Sequence, residues 1–421
     1  MAAPASVSDF LALIRQSKLL DELALEGQLQ QLRDTGALPE RPDDLAKLWI
    51  ERGILTPFQA DGLLQGRWRG FFVGPYRVLE QIGAGGMGCV YLCEQESPRR
   101  RVAVKVLPLA KALNPAALER FYREAKATGI LDHPNLIRAY DVGEDREIHW
   151  LALEYVDGAS LGEIVRRHGP LSLPRAAHYL RQAATGLQHA FEVGLVHRDI
   201  KPSNLMVDRG GTVKLLDLGL ARFFDDNTDN LTRKYGESAL GTADYVSPEQ
   251  ADDSHTVDIR ADIYSLGATG YFLLTGRPPF DEGTITQKVV WHQIRDPKPI
   301  RDTRPDLPPE FVAVVEKMMA KSRTDRFQTP SEVVAALAAW TQAPIPPPAE
   351  HEMPRLAQLG DTSKPTASGS CEITPTAAPA GEKPPGVPGP SRPLGTLTVA
   401  IGLLLAGLLA VVCWLVLFRT H

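Results

Sequence analysis

The chain has 421 residues, 43% of them hydrophobic and 23% charged, which suits about two or three folded units and excludes a largely disordered or collagen-like polymer. Its formal net charge is -5, so no global basic field draws nucleic acid and no nucleic-acid partner is expected. The four cysteines, Cys89, Cys93, Cys371 and Cys413, are too few for a disulfide framework and too scattered for a zinc site.

Met1 to Phe10 shows no basic stretch leading into an apolar run, so no secretory leader is expected. Residues 1–70 read as a small helical unit. Phe10, Leu11, Leu13, Ile14, Leu19, Leu20 and Leu23 follow a helical period. A second helix fits Asp43 to Arg52, ended by Gly53. A third begins at Thr56-Pro57-Phe58-Gln59, where Thr56 can cap, proline suits the first helical position, and Gln59 can complete a capping box. This unit carries no chemistry of its own, and docking, sensing and packing against the next domain all remain open for it.

From Tyr76 to Trp340 the pattern changes. Strand-like runs at Tyr76–Ile82, Cys89–Cys93 and Val102–Leu107 precede helical stretches at Leu173–Val193 and Asp262–Thr275. Strands followed by helices predict an α+β fold with two unequal lobes over 76–340.

Four motifs in this region carry chemistry. Gly83-Ala84-Gly85-Gly86-Met87-Gly88 lies between two strands. A plain glycine hairpin or a dinucleotide-binding turn has the same spacing, but the latter needs a helix next, and Cys89-Val90-Tyr91-Leu92-Cys93 continues as strand. A glycine flap between strands can lay its main-chain N–H groups close to phosphate oxygens. Val102-Ala103-Val104-Lys105 ends an apolar strand on a single cation, and helical Glu124 offers the carboxylate that would aim it at anionic oxygens. The segment His197-Arg198-Asp199-Ile200-Lys201-Pro202-Ser203-Asn204 can set Asp199 against a hydroxyl proton, Lys201 against a phosphoryl oxygen and the Asn204 amide oxygen on a metal. Asp217-Leu218-Gly219 supplies a second hard oxygen ligand suited to Mg²⁺. Singly, each reads as well as a solvated strand tip or a surface turn; together, in this order, they point to phosphoryl transfer.

Residues 343–393 are about one quarter proline, with Ser, Thr, Ala and Gly, and predict a disordered tether across 341–396. From Leu397 to Phe418 all residues but Thr398 are apolar or small, long enough for a single transmembrane helix. Gly402, Ala406 and Ala410 recur every four residues and would let two such helices approach as a homodimer. Arg392 and Arg419 flank the span one on each side and do not decide its orientation.

With these motifs in place, residues 76–340 resemble a eukaryotic-type protein kinase domain, particularly that of the bacterial transmembrane serine/threonine kinases. The resemblance implies a two-lobed kinase fold between the N-terminal helical region and the C-terminal membrane helix. It implies an ATP site formed by Ile82, the loop Gly83, Ala84, Gly85, Gly86, Met87 and Gly88, with Val90 and Ala103 above the adenine and Met206 below it. Leu153 takes the gatekeeper position, and the main chains of Glu154 and Val156 would bond the adenine edge. Lys105, tied by Glu124, would hold the α- and β-phosphates. Asp199 matches the catalytic base, Lys201 the γ-phosphate contact, and Asn204 with Asp217 the ligands of Mg²⁺, or of Mn²⁺ in its place.

Further positions follow by the same likeness. Ser247-Pro248-Glu249 stands where Ala-Pro-Glu is usual, and Glu249 would pair with Arg326. Asp262 would brace the catalytic loop, and His197 would pack rather than act as acid or base. Leu218 replaces the commoner Phe. In Gly241-Thr242-Ala243-Asp244-Tyr245, the Thr242 hydroxyl would bridge Asp199 and Lys201, selecting Ser/Thr acceptors in protein substrates. Arg198 beside Asp199 implies control by phosphorylation between Asp217 and Glu249, where Thr228, Thr232 and Ser238 are candidates. The expected location is the cell membrane, single-pass, with the kinase domain cytoplasmic and bilayer lipid around the helix. A catalytically inactive kinase-like scaffold would lack one of the four charged or amide groups, and a small-molecule phosphotransferase would lack a segment like 241–249.

Overall fold

The computed structural model describes residues 3–85, 88–145, 147–217, 241–252 and 257–354. Among them no helix is long and apolar enough to cross a membrane. The span expected at 397–418 lies outside the described residues, as do Gly86, Met87, Leu218, Thr228, Thr232 and Ser238.

Four helices, where the sequence pattern suggested three, open the chain: α1 Val7–Ser17, α2 Glu22–Asp34, α3 Pro42–Glu51 and α4 Pro57–Leu64. The long run expected from Phe10 to Leu23 breaks at Lys18, whose φ is 59°. Asp21 then starts α2 by accepting the Ala24 N–H, and Leu25, Leu29 and Leu32 bury one face of that otherwise polar helix. The capping box of Thr56 and Gln59 forms at the start of α4. Phe10, Leu25, Leu29, Trp49, Leu63 and Phe71 close a core of their own.

A six-stranded antiparallel sheet follows, ordered β1-β2-β3-β4-β6-β5: β1 Phe72–Val73, β2 Tyr76–Gly85, β3 Gly88–Gln95, β4 Arg100–Leu107, β5 Ala139–Asp145 and β6 Ile148–Glu154. Alternation sends Tyr91, Cys93, Val102, Val104 and Val106 into one apolar layer with Trp150. The intervening Val90, Ala103 and Lys105 therefore share the other face, toward the second lobe. Helix α6 (Pro115–Gly129, after the one-turn α5 at Leu109–Ala112) is seated by Phe121 and Ala125 against Leu107 and Leu151.

The second lobe is helical. α7 (Leu161–His168), α8 (Leu173–Glu192) and the helices Ile259–Thr275, Pro309–Met318 and Pro330–Leu337 share one large core. Helix Ile259–Thr275 is buried all round apart from Arg260, as a central helix requires. The small sheet β7-β8-β9 (Gly158–Ser160, Leu205–Asp208, Val213–Leu215) carries the loops of the site.

One boundary differs from expectation. The tract predicted to leave the domain at 341 stays on it through Pro354. Glu352 makes a two-pronged ion pair with Arg175 (2.7 and 3.0 Å), and Met353 is buried in the lobe core. Arg209 holds Asp157, Glu350 and the Pro354 carbonyl together. Proline-rich composition argues for a tether only where no partner buries it, and here Arg175 and Arg209 supply partners distant in sequence.

Candidate active site

Strand β4 presents Lys105 to the cleft between the lobes. Its Nζ donates to Glu124 Oε1 of α6 at 2.6 Å and to Asp217 Oδ1 at 3.1 Å. Burial alone would depress this ammonium, but the carboxylates of Asp217 and Glu124 outweigh it and hold Lys105 above the ordinary lysine range. Lys105 in turn holds Asp217 below the usual carboxylate range. Burial pushes the Glu124 carboxyl up, against the pull of Lys105, so the fixed charges of this cluster, drawn from β4, α6 and the strand end after β9, are the Lys105 ammonium and the Asp217 carboxylate.

The loop of residues 197–204 is fixed by buried groups around it. Asp262, on the first turn of the central helix and fully buried, accepts the His197 N–H at 2.7 Å and the Arg198 N–H at 2.6 Å. Burial pushes the Asp262 carboxyl up to about 7, against the pull of those two donors. Arg198 is left with φ 68° and Asp217 with φ 49°, left-handed backbone that side chains other than glycine rarely adopt and that concentrates at functional sites.

His197 is fully buried, and its Nε2 lies 2.9 Å from the Leu216 carbonyl. A carbonyl can only accept, so Nε2 carries the proton and Nδ1 is left to accept the Asp199 N–H at 3.4 Å. Burial also lowers this imidazole's affinity for a second proton. His197 is thus a neutral brace, as the resemblance implied. Leu216 also donates its N–H to the Asn204 carbonyl at 2.9 Å, so one residue stitches the loop of Asp199 to the strand end that bears Asp217.

Around Asp199 the polar groups converge. Lys201 Nζ donates to Oδ2 at 2.9 Å, and Asn204 Nδ2 donates to the same oxygen at 3.0 Å and to the Asp199 carbonyl at 2.9 Å. The Thr242 hydroxyl lies 3.0 Å from Lys201 Nζ and 3.4 Å from Asp199 Oδ1. The expected bridge from Thr242 to Asp199 and Lys201 is therefore present.

Gln250 and Lys288, not singled out from sequence, complete this side. Ser247 caps the helix Pro248–Asp252 through Gln250, and Gln250 Nε2 donates to the Arg198 carbonyl at 2.9 Å. Ser247 in place of alanine thus ties the acceptor segment to the catalytic loop; the Ser-x-x-Gln spacing of a capping box was the available signal. Lys288 pairs with Asp244 at 2.6 Å, two residues after Thr242 in that segment. Glu249 and Arg326 form the expected pair through two bonds of 2.7 and 2.9 Å.

Of the residues expected around adenine, Val90 lies opposite Lys105 and Ala103 opposite Leu153 in the ladder. Glu154 ends β6, its side chain paired with Lys214 at 2.7 Å, and buried Val156 follows. Met206 lies in β8 opposite Ser160. Gly85 pairs with Gly88 across the hairpin, and Gly88 needs to be glycine: at φ 147° a Cβ would meet the Val106 carbonyl oxygen at 2.1 Å. Ile82 is 43% exposed beside this hairpin.

The model of the protein kinase domain matches residues 76–336, more than half of the chain. The chain belongs to the protein kinase family. Serine/threonine-protein kinase PknB of Mycolicibacterium smegmatis is 36% identical over 312 residues, covering 73% of this chain and 49% of that protein. Serine/threonine-protein kinase PrkC of Bacillus subtilis is 36% identical over 262 residues, covering 62% and 40%. The chain thus spans about half, or less, of the length of these curated relatives. The crystal structure of the Mycobacterium tuberculosis PknI kinase domain, 28% identical, superposes with a TM-score of 0.50 over 64% of this chain and 98% of that one.

Protein kinases use ATP and a divalent metal, and the residues of this kinase domain fit such an ion. Asn204 spends its amide nitrogen on Asp199, which leaves the amide oxygen as its ligand atom. Asp217 adds a carboxylate that is about half accessible and has one oxygen on Lys105. Two hard oxygen donors suit a small divalent cation.

Proposed function

We propose that this protein transfers the γ-phosphate of ATP, with Mg²⁺ or in its place Mn²⁺, to serine and threonine hydroxyls of proteins. The observation that carries this reading is Thr242, whose aliphatic hydroxyl sits between Lys201 and Asp199 at 3.0 and 3.4 Å. A short hydroxyl is thereby favoured at the base over a phenol. The names of PknB and PrkC support the same specificity.

Phosphoryl transfer asks the protein for alignment and charge neutralisation. Lys105, braced by Glu124, would hold the α- and β-phosphates. Asp199 orients the acceptor hydroxyl and takes its proton, while Lys201 offers its ammonium to the phosphoryl oxygens. Asn204 and Asp217 would hold the cation, which when bound offsets negative charge on the phosphates. The flap from Gly83 to Gly88 would cover the nucleotide, with Val90, Ala103 and Met206 around the adenine.

The reading extends to control and place. Arg198 stays a cation at neutral pH although burial lowers it to about 10. A phosphate on Thr228, Thr232 or Ser238 would carry nearly two negative charges and draw toward Arg198. Residues 397–418 would anchor the protein in the cell membrane with the kinase domain in the cytoplasm, and Gly402, Ala406 and Ala410 would let two copies pair there.

Two measurements test this. Incubation with labelled ATP, Mg²⁺ and a generic protein acceptor should yield phosphoserine and phosphothreonine, and mass spectrometry should find phosphate on the kinase between Asp217 and Glu249. Nucleotide binding with no transfer would make the protein a kinase-like scaffold instead, and an unmodified loop would remove the proposed control. In cell fractionation, the full chain should sediment with membranes and a chain ending at 396 should not; equal distribution of the two would overturn the anchor.

A further inference from the structure

The strand leading into the glycine flap is irregular. Relative to β3, strand β2 carries one extra residue at Leu79 and another at Ile82, immediately before Gly83. A bulge bends its strand and takes main-chain groups out of the ladder. At the first bulge those groups are taken up by the N-terminal helices. Gln59 Nε2 donates to the Val78 carbonyl at 2.7 Å, and Thr56 Oγ1 donates to the Leu79 carbonyl at 2.7 Å.

The same two residues close the reciprocal cap of α4. The Thr56 N–H donates to Gln59 Oε1 at 3.0 Å and the Gln59 N–H to Thr56 Oγ1 at 3.2 Å. Thr56 is 3% exposed and Gln59 1%. Between them in sequence, Phe58 meets Tyr91 of β3 edge-on at 6.2 Å and Phe71 at 6.5 Å. One helical turn therefore grips both strands of the hairpin that carries the flap.

Capping alone does not ask for this. At Ser6–Asp9 and Thr284–Gln287 the cap residues are exposed, and their bonds stay within their own turn. A bonded, buried side chain that reaches another element fixes that element's position, and a flap needs a fixed root to close reproducibly over phosphates.

We infer that Thr56 and Gln59 are positioning residues for the nucleotide flap, so that the helical unit of residues 1–70 sets how tightly the cleft holds ATP. This rests on the proposed ATP site, so the test reads nucleotide binding directly as well as transfer. In the full chain, Gln59→Met and Thr56→Val should each raise the Kd for ATP with Mg²⁺, and KM for ATP, about fivefold, with kcat changed less than about twofold. Thr56→Ser, which keeps both bonds, should stay within about twofold of wild type. Ser6→Ala, which removes a cap in the same unit without touching β2, should leave Kd unchanged.

Amide hydrogen exchange over residues 78–92 should quicken in Gln59→Met while the helix Ile259–Thr275 keeps its protection. Unchanged Kd and unchanged exchange over 78–92 in folded Gln59→Met and Thr56→Val, even with a lowered melting temperature, would show that the contacts serve folding only and overturn the inference. A wild-type chain that binds ATP without transferring phosphate would defeat the kinase reading and leave the Kd comparison decisive. A chain that bound no nucleotide would refute the coupling to ATP along with the site.

Discussion

Replacing Asp199 with alanine is expected to lower kcat by about 10³-fold or more, on the order of 4 kcal/mol of transition-state stabilisation, with the Kd for ATP changed only a few-fold. The separation follows from which groups share a bond. Asp199 receives Lys201, Asn204 and Thr242, whereas Lys105 is held by Glu124 and Asp217. Truncating Asp199 removes the group that aligns the hydroxyl and frees Lys201 and Asn204 from a shared oxygen, but leaves the ammonium proposed for the phosphates in place. Steady-state kinetics and nucleotide titration on the purified variant read the two effects separately. Turnover within tenfold of wild type would remove Asp199 from the role of base. A parallel rise of 10²-fold in the Kd for ATP would mean that the loop holds nucleotide rather than acceptor.

What could be read in the chain beforehand divides by the range of the interaction. The strands at 76–82, 89–93 and 102–107, the cap at Thr56–Gln59 and the helix beginning near Asp43 depend on neighbours a few residues away, and periodicity and capping chemistry expose them. The side chains proposed for catalysis were legible for another reason: carboxylate, ammonium and amide crowd into a few positions that ordinary surface turns do not require. Helix α2 escaped because its single face of Leu25, Leu29 and Leu32 is diluted by glutamines and acids. The strap at 341–354 escaped because its partners, Arg175 and Arg209, lie more than a hundred residues earlier. Gln250 was not singled out, because its amide meets the Arg198 carbonyl only once the fold brings together two segments some fifty residues apart. Pairings made by tertiary approach leave little trace in local pattern, and here they connect the catalytic loop, the acceptor segment and the flap to the scaffold.

The largest loss of stability is expected from Arg326→Met. The Arg326 side chain is fully buried and makes two bonds to Glu249, with further bonds to the carbonyls of Ala320, Arg260 and Lys321. Methionine fills much of the volume but supplies no donor, so a buried carboxylate and three carbonyls lose partners together. Breaking such a pair from one side costs about 3–5 kcal/mol, because the remaining charge stays out of water. In a domain of this size that corresponds to a fall of about 10 °C in melting temperature. Arg326→Lys should recover little of it, since one ammonium cannot reproduce the planar two-pronged geometry. The double variant Glu249→Gln with Arg326→Met should be more stable than Arg326→Met alone, because the stranded charge is gone. Activity should fall in step, since Glu249 adjoins Gln250 and through it the Arg198 carbonyl. A melting temperature within 2 °C of wild type for Arg326→Met would show that water reaches Glu249 and that the pair does not anchor the acceptor segment.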